Sequence, residues 1–106
     1  MRDHLPKPHI RAKVRFYESS KGGLKESIPG GVFGCIFGVN NELFDSFMVR
    51  PDKGPLNPGD EVEVYIQFLN PQMVVELLKP GTKFILRQLN TMGEGEVIEI
   101  LPPPKR

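Results

Sequence analysis

The chain has 106 residues, a length that fits one domain able to bury a core without disulfides or metal. Its formal net charge of +1 argues against a domain devoted to nucleic acid, because such domains usually carry a clear basic excess. A single cysteine excludes an internal disulfide framework, and no apolar stretch is long enough to cross a bilayer or to form a secretory signal. We therefore expect a cytoplasmic protein.

Eleven glycines and eleven prolines indicate frequent turns between short elements. Residues 1–8 are polar and predict a flexible N-terminal arm, and the Pro-rich residues 102–106 predict an extended tail. The domain itself is expected over residues 9–101.

Within this domain the apolar residues alternate with polar ones, and this period of two is typical of strands. The predicted strands are residues 10–17, 32–39, 44–50, 62–68, 83–89 and 97–101. Residues 73–78 have a spacing that would also suit one helical turn, but they are predicted as a further short strand because they are too few to stand as a helix. Gly93 and Gly95 predict a tight bend into the last strand.

Six main strands separated by Gly/Pro turns predict the all-β class. A small closed antiparallel β-barrel is favoured over a sandwich, because closure removes the exposed edges of the sheet. The fourth strand has the clearest pattern, with an inward set that should be buried: Val62, Val64, Ile66 and Phe68.

No residue pattern indicates an enzyme, a metal site or a nucleotide site. His4, His9 and Cys35 match no zinc spacing, and Cys35 alternates with phenylalanines on a predicted core face, where a thiol is inert. Glu94 and Glu96 share a face but have no partner that would form a catalytic cleft. Since the chain also lacks a Gly-x-x-x-x-Gly-Lys-Ser/Thr phosphate loop, we predict no catalysis, no cofactor and no GTP binding.

The second half of the chain carries three motifs in a specific order. Pro58-Gly59-Asp60 opens a strand, residues 81–87 read Gly-Thr-Lys-Phe-Ile-Leu-Arg, and residues 91–98 read Thr-Met-Gly-Glu-Gly-Glu-Val-Ile. This order resembles the C-terminal barrel, domain III, of elongation factor Tu and related translational GTPases. The resemblance extends over about residues 10–101, and the family's GTPase domain and second barrel have no counterpart in this sequence.

The resemblance implies a non-catalytic barrel that binds a partner. In that family the barrel contacts the T-stem of aminoacyl-tRNA and packs against the GTPase domain. The residues at the tRNA-contacting turn would be Asn90, Thr91 and Gly93. Asn90 stands where the family has an arginine, and Glu94 and Glu96 add negative charge nearby, so a tRNA role is disfavoured.

Two functions are therefore expected from the sequence. The first is binding of a protein, either in the translation apparatus or as a regulatory or immunity-type partner. Arg50, Met73 and Met92 are its candidate residues, since methionine surfaces adapt to partners; the alternative is that the methionines belong to the core.

The second function is binding of RNA. Arg11, Lys13 and Arg15 form a basic stripe on the first strand, which could pair with phosphates while Tyr17 stacks on a base. The alternative for this stripe is a solvated strand face.

Overall fold

The computed structural model of the protein describes residues 7–18, 27–28, 30–52, 54–88 and 91–101. The strands within these residues are β1 (Ile10–Phe16), β2 (Phe33–Val39), β3 (Glu42–Val49), β4 (Glu61–Phe68), β5 (Lys83–Arg87) and β6 (Thr91–Ile100). One helical turn, α1 (Pro71–Val74), continues into a 3-10 turn (Val75–Leu77) between β4 and β5.

The strands form a closed barrel in the order β1-β4-β3-β2-β5-β6, and every neighbouring pair is antiparallel. This confirms the prediction of an all-β, closed antiparallel barrel of six strands. The β2–β3 hairpin turns at Asn40 and Asn41, whose φ angles of 52° and 64° are the positive values that a tight hairpin needs. In this order β1 lies between β4 and β6, which decides what surrounds its side chains.

The core fills the barrel with alternate residues of each strand. Phe37 lies between two other rings: it stacks on Phe84 at a centroid distance of 4.3 Å and meets Phe68 edge-on at 4.9 Å. Val64 and Ile66 are fully buried, as predicted, while Val62 at the start of β4 is only partly buried.

The predicted short strand over residues 73–78 is wrong, because this segment is helical. Pro71 occupies the first turn of α1, where its missing N–H costs no hydrogen bond and its fixed φ favours the helix. Val74 and Leu78 are buried and belong to the hydrophobic core, whereas Met73 is exposed. The four-residue spacing of the two buried residues was the correct signal.

The last strand also differs from its prediction, because β6 begins at Thr91 and not at residue 97. Gly93 and Gly95 do not form a bend; they lie within the strand and face β1. A Cβ at Gly93 would be 2.7 Å from the Arg15 carbonyl oxygen, and one at Gly95 would be 2.8 Å from that of Lys13. The glycines are therefore needed for close approach of two strands.

Several predicted features fall outside the described residues. These are positions 1–6 of the predicted arm, all of the predicted tail at 102–106, and Asn90 at the predicted tRNA-contacting turn. The predicted strand over 83–89 ends at Arg87 in the structure.

Candidate functional site

The basic stripe of β1 is flanked on both sides by glutamates. Arg11 donates a hydrogen bond from Nη1 to Glu63 on β4 at 2.8 Å and another from Nε to Glu99 on β6 at 2.7 Å. Arg15 donates from Nη2 to Glu94 on β6 at 3.2 Å. The structure thus brings the predicted cations together, but it places carboxylates beside them.

The remaining charges on this side continue the same pattern. Lys13 stands opposite Glu63 on one side and Glu96 on the other, and Lys83 of β5 lies 4.0 Å from Glu96. The sign of charge therefore alternates from strand to strand around this part of the barrel. We call it the charged face, and it comprises four cations and five carboxylates: Arg11, Lys13, Arg15, Lys83, Glu61, Glu63, Glu94, Glu96 and Glu99.

The surroundings of Arg11 and Tyr17 favour the protonated form of each side chain. The carboxylates of Glu63 and Glu99 raise the pKa of Arg11 above its ordinary value. Partial burial, helped by the hydrogen bond that its hydroxyl donates to Glu94, raises the pKa of Tyr17. A phosphate that approached β1 would have to displace glutamates that already accept from its arginines.

The outward side of β2, β3 and β5 has a different character. Its large side chains are apolar, and those of the α1 region extend it. We call it the apolar face, and it comprises Ile36, Leu43, Phe47, Leu69, Met73 and Ile85. All of these except the half-buried Ile36 are 38% to 60% exposed.

Two glycines of β2 let the apolar side chains close over the strand. An added Cβ at Gly38 would lie 2.8 Å from the Ile85 side chain and 3.2 Å from that of Leu43, so these two side chains meet above it. At Gly34 an added Cβ would be 3.5 Å from the ring of Phe47. The outer surface of β2 is therefore covered by its neighbours' apolar side chains at Gly38, while Gly34 remains exposed.

A pair of opposite charges lies within the apolar face. Ile36 of β2 is in register with Asp45 on β3 and with Arg87 on β5. The Nε of Arg87 is buried and has no hydrogen-bond partner among the described residues. These residues line a groove of about 440 Å³ with Phe47 and Leu69. The apolar face thus contains a cation whose hydrogen-bonding capacity is not fully used.

The three residues predicted to bind a protein partner lie in different environments. Met73 belongs to the apolar face. Arg50 donates to the Pro55 carbonyl at 2.7 Å and to Asp52 at 2.6 Å, and so orders its own loop; the hydrogen bond from Arg50 lowers the pKa of Asp52. Met92 is only 3% exposed and is part of the core, so it offers no surface to a partner.

The two described residues of the predicted tRNA-contacting turn are strand residues. Thr91 pairs with Arg87 at the start of β6, beside an irregularity in the β5–β6 register. Gly93 is buried against β1. A turn that presents Thr91 and Gly93 together is therefore absent from the described residues.

His9 and Cys35 have the side-chain types of a catalytic base and a nucleophile, but each has a structural environment. His9 Nδ1 accepts the backbone N–H of Phe68 at 2.9 Å, and burial lowers the pKa of this histidine. Burial raises the pKa of the Cys35 thiol to about 11, so it stays protonated near neutral pH.

Across the same part of the chain, no three His, Cys, Asp or Glu residues come together as a possible metal site. Nor does any helix of the described segments have the length and apolar character to cross a membrane.

Sequence reasoning did not single out the apolar face. Its signal was in β3, where Leu43 and Phe47 are large and apolar on the side opposite to Phe44 and Met48. When a strand carries large apolar side chains on its outward side as well as its inward side, the outward side chains indicate a surface that a partner can cover.

Comparison with known proteins gives a distant and partial similarity. No protein-family model matches the chain. The chain is 31% identical over 90 residues to proteins named "Amino-acid acetyltransferase, mitochondrial" from Aspergillus oryzae and from Aspergillus flavus. Each match includes 78% of this chain but only 13% of the length of the relative. The similarity therefore concerns a small part of a much longer protein.

Proposed function

We propose that this barrel is a non-catalytic module that binds a protein through its apolar face. The observation that carries the proposal is the apolar face itself, on which five large side chains are 38% to 60% exposed on neighbouring elements of one side of the barrel. A group of exposed large apolar side chains on one side of a small domain is typical of an interaction surface. The resemblance to the C-terminal barrel of elongation factor Tu supports a partner in translation, or a regulatory or immunity-type partner, within the cytoplasm.

The absence of a catalytic role is part of this proposal. The lowered pKa of His9 accompanies a structural hydrogen bond to the backbone of β4, and the thiol of Cys35 is buried and protonated. The acetyltransferase name belongs to relatives of which the matched segment is 13%, so a supporting role beside other domains is equally compatible with that similarity.

RNA binding is the second candidate, because the Arg11, Lys13 and Arg15 stripe exists on the surface of β1. It has less support than protein binding. The glutamates of β4 and β6 already accept hydrogen bonds from both arginines, and they would repel a polyanion.

The test is affinity capture from the native cytosol with and without RNase. Three baits are compared. They are the parent chain, an apolar-face variant carrying Leu43→Ser and Phe47→Ser, and a control carrying Lys13→Ser and Glu96→Ser. The control changes the same number of exposed strand residues on the charged face and leaves the net charge unchanged. We expect capture that resists RNase, that is lost in the apolar-face variant and that is kept in the control. Capture that disappears with RNase and depends on the charged face would favour the RNA alternative.

A further inference from the structure

The charges on the apolar face are arranged symmetrically about one residue. Asp45 and Arg87 stand on the strands at either side of β2, each in register with Ile36. Because neighbouring strands are about 4.8 Å apart, the acid and the base are separated by roughly 10 Å, with the apolar Ile36 between them. No salt bridge joins Asp45 to Arg87 within the described part of the chain.

The row formed across three strands by Asp45, Ile36 and Arg87 is complementary to a second copy of itself. Two copies can meet face to face about a two-fold axis that lies in the interface and runs parallel to β2. This operation sets Ile36 against Ile36 and brings Asp45 of each copy opposite Arg87 of the other, because it exchanges the two sides of β2. A two-fold axis perpendicular to the strands would instead set Asp45 against Asp45.

The same axis also matches the apolar neighbours. Leu43 and Ile85 flank Gly38 just as Asp45 and Arg87 flank Ile36. The parallel axis therefore places Leu43 of one copy opposite Ile85 of the other. The rows at Ile36 and at Gly38 are thus both matched by one symmetry operation, the first by charge and the second by apolar contact.

The state of Arg87 in the single chain is consistent with this geometry. Its Nε is covered and has no acceptor among the described residues, and a buried donor without a partner is costly. Asp45 is exposed and Arg87 as a whole is only partly buried, so the Asp45 carboxylate of a second copy can approach the accessible part of the Arg87 side chain, while Nε stays covered within its own chain. In each of the two ion pairs, one copy would supply Asp45 and the other would supply Arg87.

We propose that the apolar face is the interface of an isologous dimer of this chain. In this dimer an Ile36–Ile36 contact lies on the axis, with one Asp45–Arg87 ion pair between the copies on each side of it. The inference rests on the proposed function in that it uses the same face, and it names a second copy as the protein that covers it. A face only three strands wide offers a smaller contact area than the about 800 Å² per partner of a standard interface. The dimer should therefore be weak and concentration-dependent.

Sedimentation velocity of the purified chain from about 10 μM to about 1 mM tests the dimer. Asp45→Arg alone and Arg87→Asp alone each set two pairs of like charges together and should weaken dimerisation by about tenfold or more. The double variant Asp45→Arg/Arg87→Asp exchanges the charges and should restore the parent's dissociation constant to within about threefold. Glu96→Arg on the charged face is the control and should leave it unchanged.

A cysteine on the axis gives a second, independent readout. In a Cys35→Ser background, Ile36→Cys should form a disulfide-linked dimer under mild oxidation, because the two positions meet across the axis. Glu96→Cys in the same background should not. This readout does not depend on whether Arg87→Asp folds.

Either of two sedimentation results would overturn the dimer: a parent chain that stays monomeric at about 1 mM, or a charge-swapped double variant as weak as the single variants. Failure of the Ile36→Cys cross-link would also overturn it. Capture of another protein through the apolar face would still stand if the dimer failed. A dimer without any such capture would refute the wider binding role alone.

Discussion

Arg11 Nε donates a hydrogen bond of 2.7 Å to a carboxylate oxygen of Glu99 across the β1–β6 boundary of the barrel. The two residues are in register, so the contact follows from strand pairing and not from a folded-back side chain. Together with the contact to Glu63 it shows that the most basic strand of the chain supplies cations to two acidic neighbours. The positive charges of Arg11 and Arg15 on β1 are therefore paired with glutamates of the barrel itself.

Neutralising the basic stripe should leave RNA binding as weak as it is in the parent. The change is Arg11→Gln, Lys13→Gln and Arg15→Gln together, and filter binding at several salt concentrations is the measurement. Each true phosphate contact would contribute a slope of about 0.7 to 0.9 in log affinity against log salt, so three contacts would contribute roughly 2 to 3. Sub-micromolar binding by the parent at physiological salt, with that slope lost in the variant, would establish the RNA alternative.

Val64→Ala should destabilise the barrel by about 1–3 kcal/mol, because it leaves a cavity where two methyl groups were fully buried. Urea unfolding measures the free energy. Gln67→Ala, which changes an outward residue of the same strand, is the matched control and should alter it by less than about 0.5 kcal/mol. Equal effects of the two substitutions would contradict the inward orientation of Val64.

Gly95→Ala should be destabilising, by about 1–3 kcal/mol, because the new methyl group meets the Lys13 carbonyl oxygen and the ring of Phe84. Gly34→Ala is the comparison within the same barrel. Its methyl group would lie 3.5 Å from the Phe47 ring, an ordinary contact distance, so little change is expected. If thermal unfolding showed both variants to be as stable as the parent, the close approach of β6 to β1 would be disproved.

The stability of the protein should fall as the pH falls below about 6.5, the usual pKa of histidine. Burial lowers the pKa of His9, so the unfolded chain binds a proton that the folded chain binds less well, and acid favours unfolding. In His9→Asn the amide oxygen can accept from Phe68 N–H without titrating. The difference in urea midpoint between pH 8 and pH 5 should therefore be smaller in this variant. An identical difference would mean that His9 does not contribute.

Most of the fold was predictable because strand alternation is a local signal. The β4 segment around Val64 was recognisable from neighbouring residues alone. The start of β6 was not, since Gly93 and Gly95 have the local character of a bend. What makes them strand residues is the carbonyl oxygens of Arg15 and Lys13 on β1, which are 78 and 82 positions away in the chain and become neighbours only when the barrel closes.

The candidate site was harder to predict for the same reason. The stripe of Arg11, Lys13 and Arg15 was visible in the sequence, but its glutamate partners on β4 and β6 depend on the order of strands in the barrel. The symmetric placement of Asp45 and Arg87 about Ile36 depends on two registers at once. No local pattern contains that information.

The backbone N–H of Leu101 donates to the carbonyl oxygen of His9 at 2.9 Å, so the chain enters and leaves the barrel at adjacent points. A folded unit with this property can be inserted into a surface loop of a host protein without separating the two ends of that loop. We also expect it to tolerate circular permutation, because a short linker can join residue 101 to residue 9 and new ends can be opened at the Asn40-Asn41 hairpin. The barrel thus has the geometry of a unit that can be transferred from one chain to another.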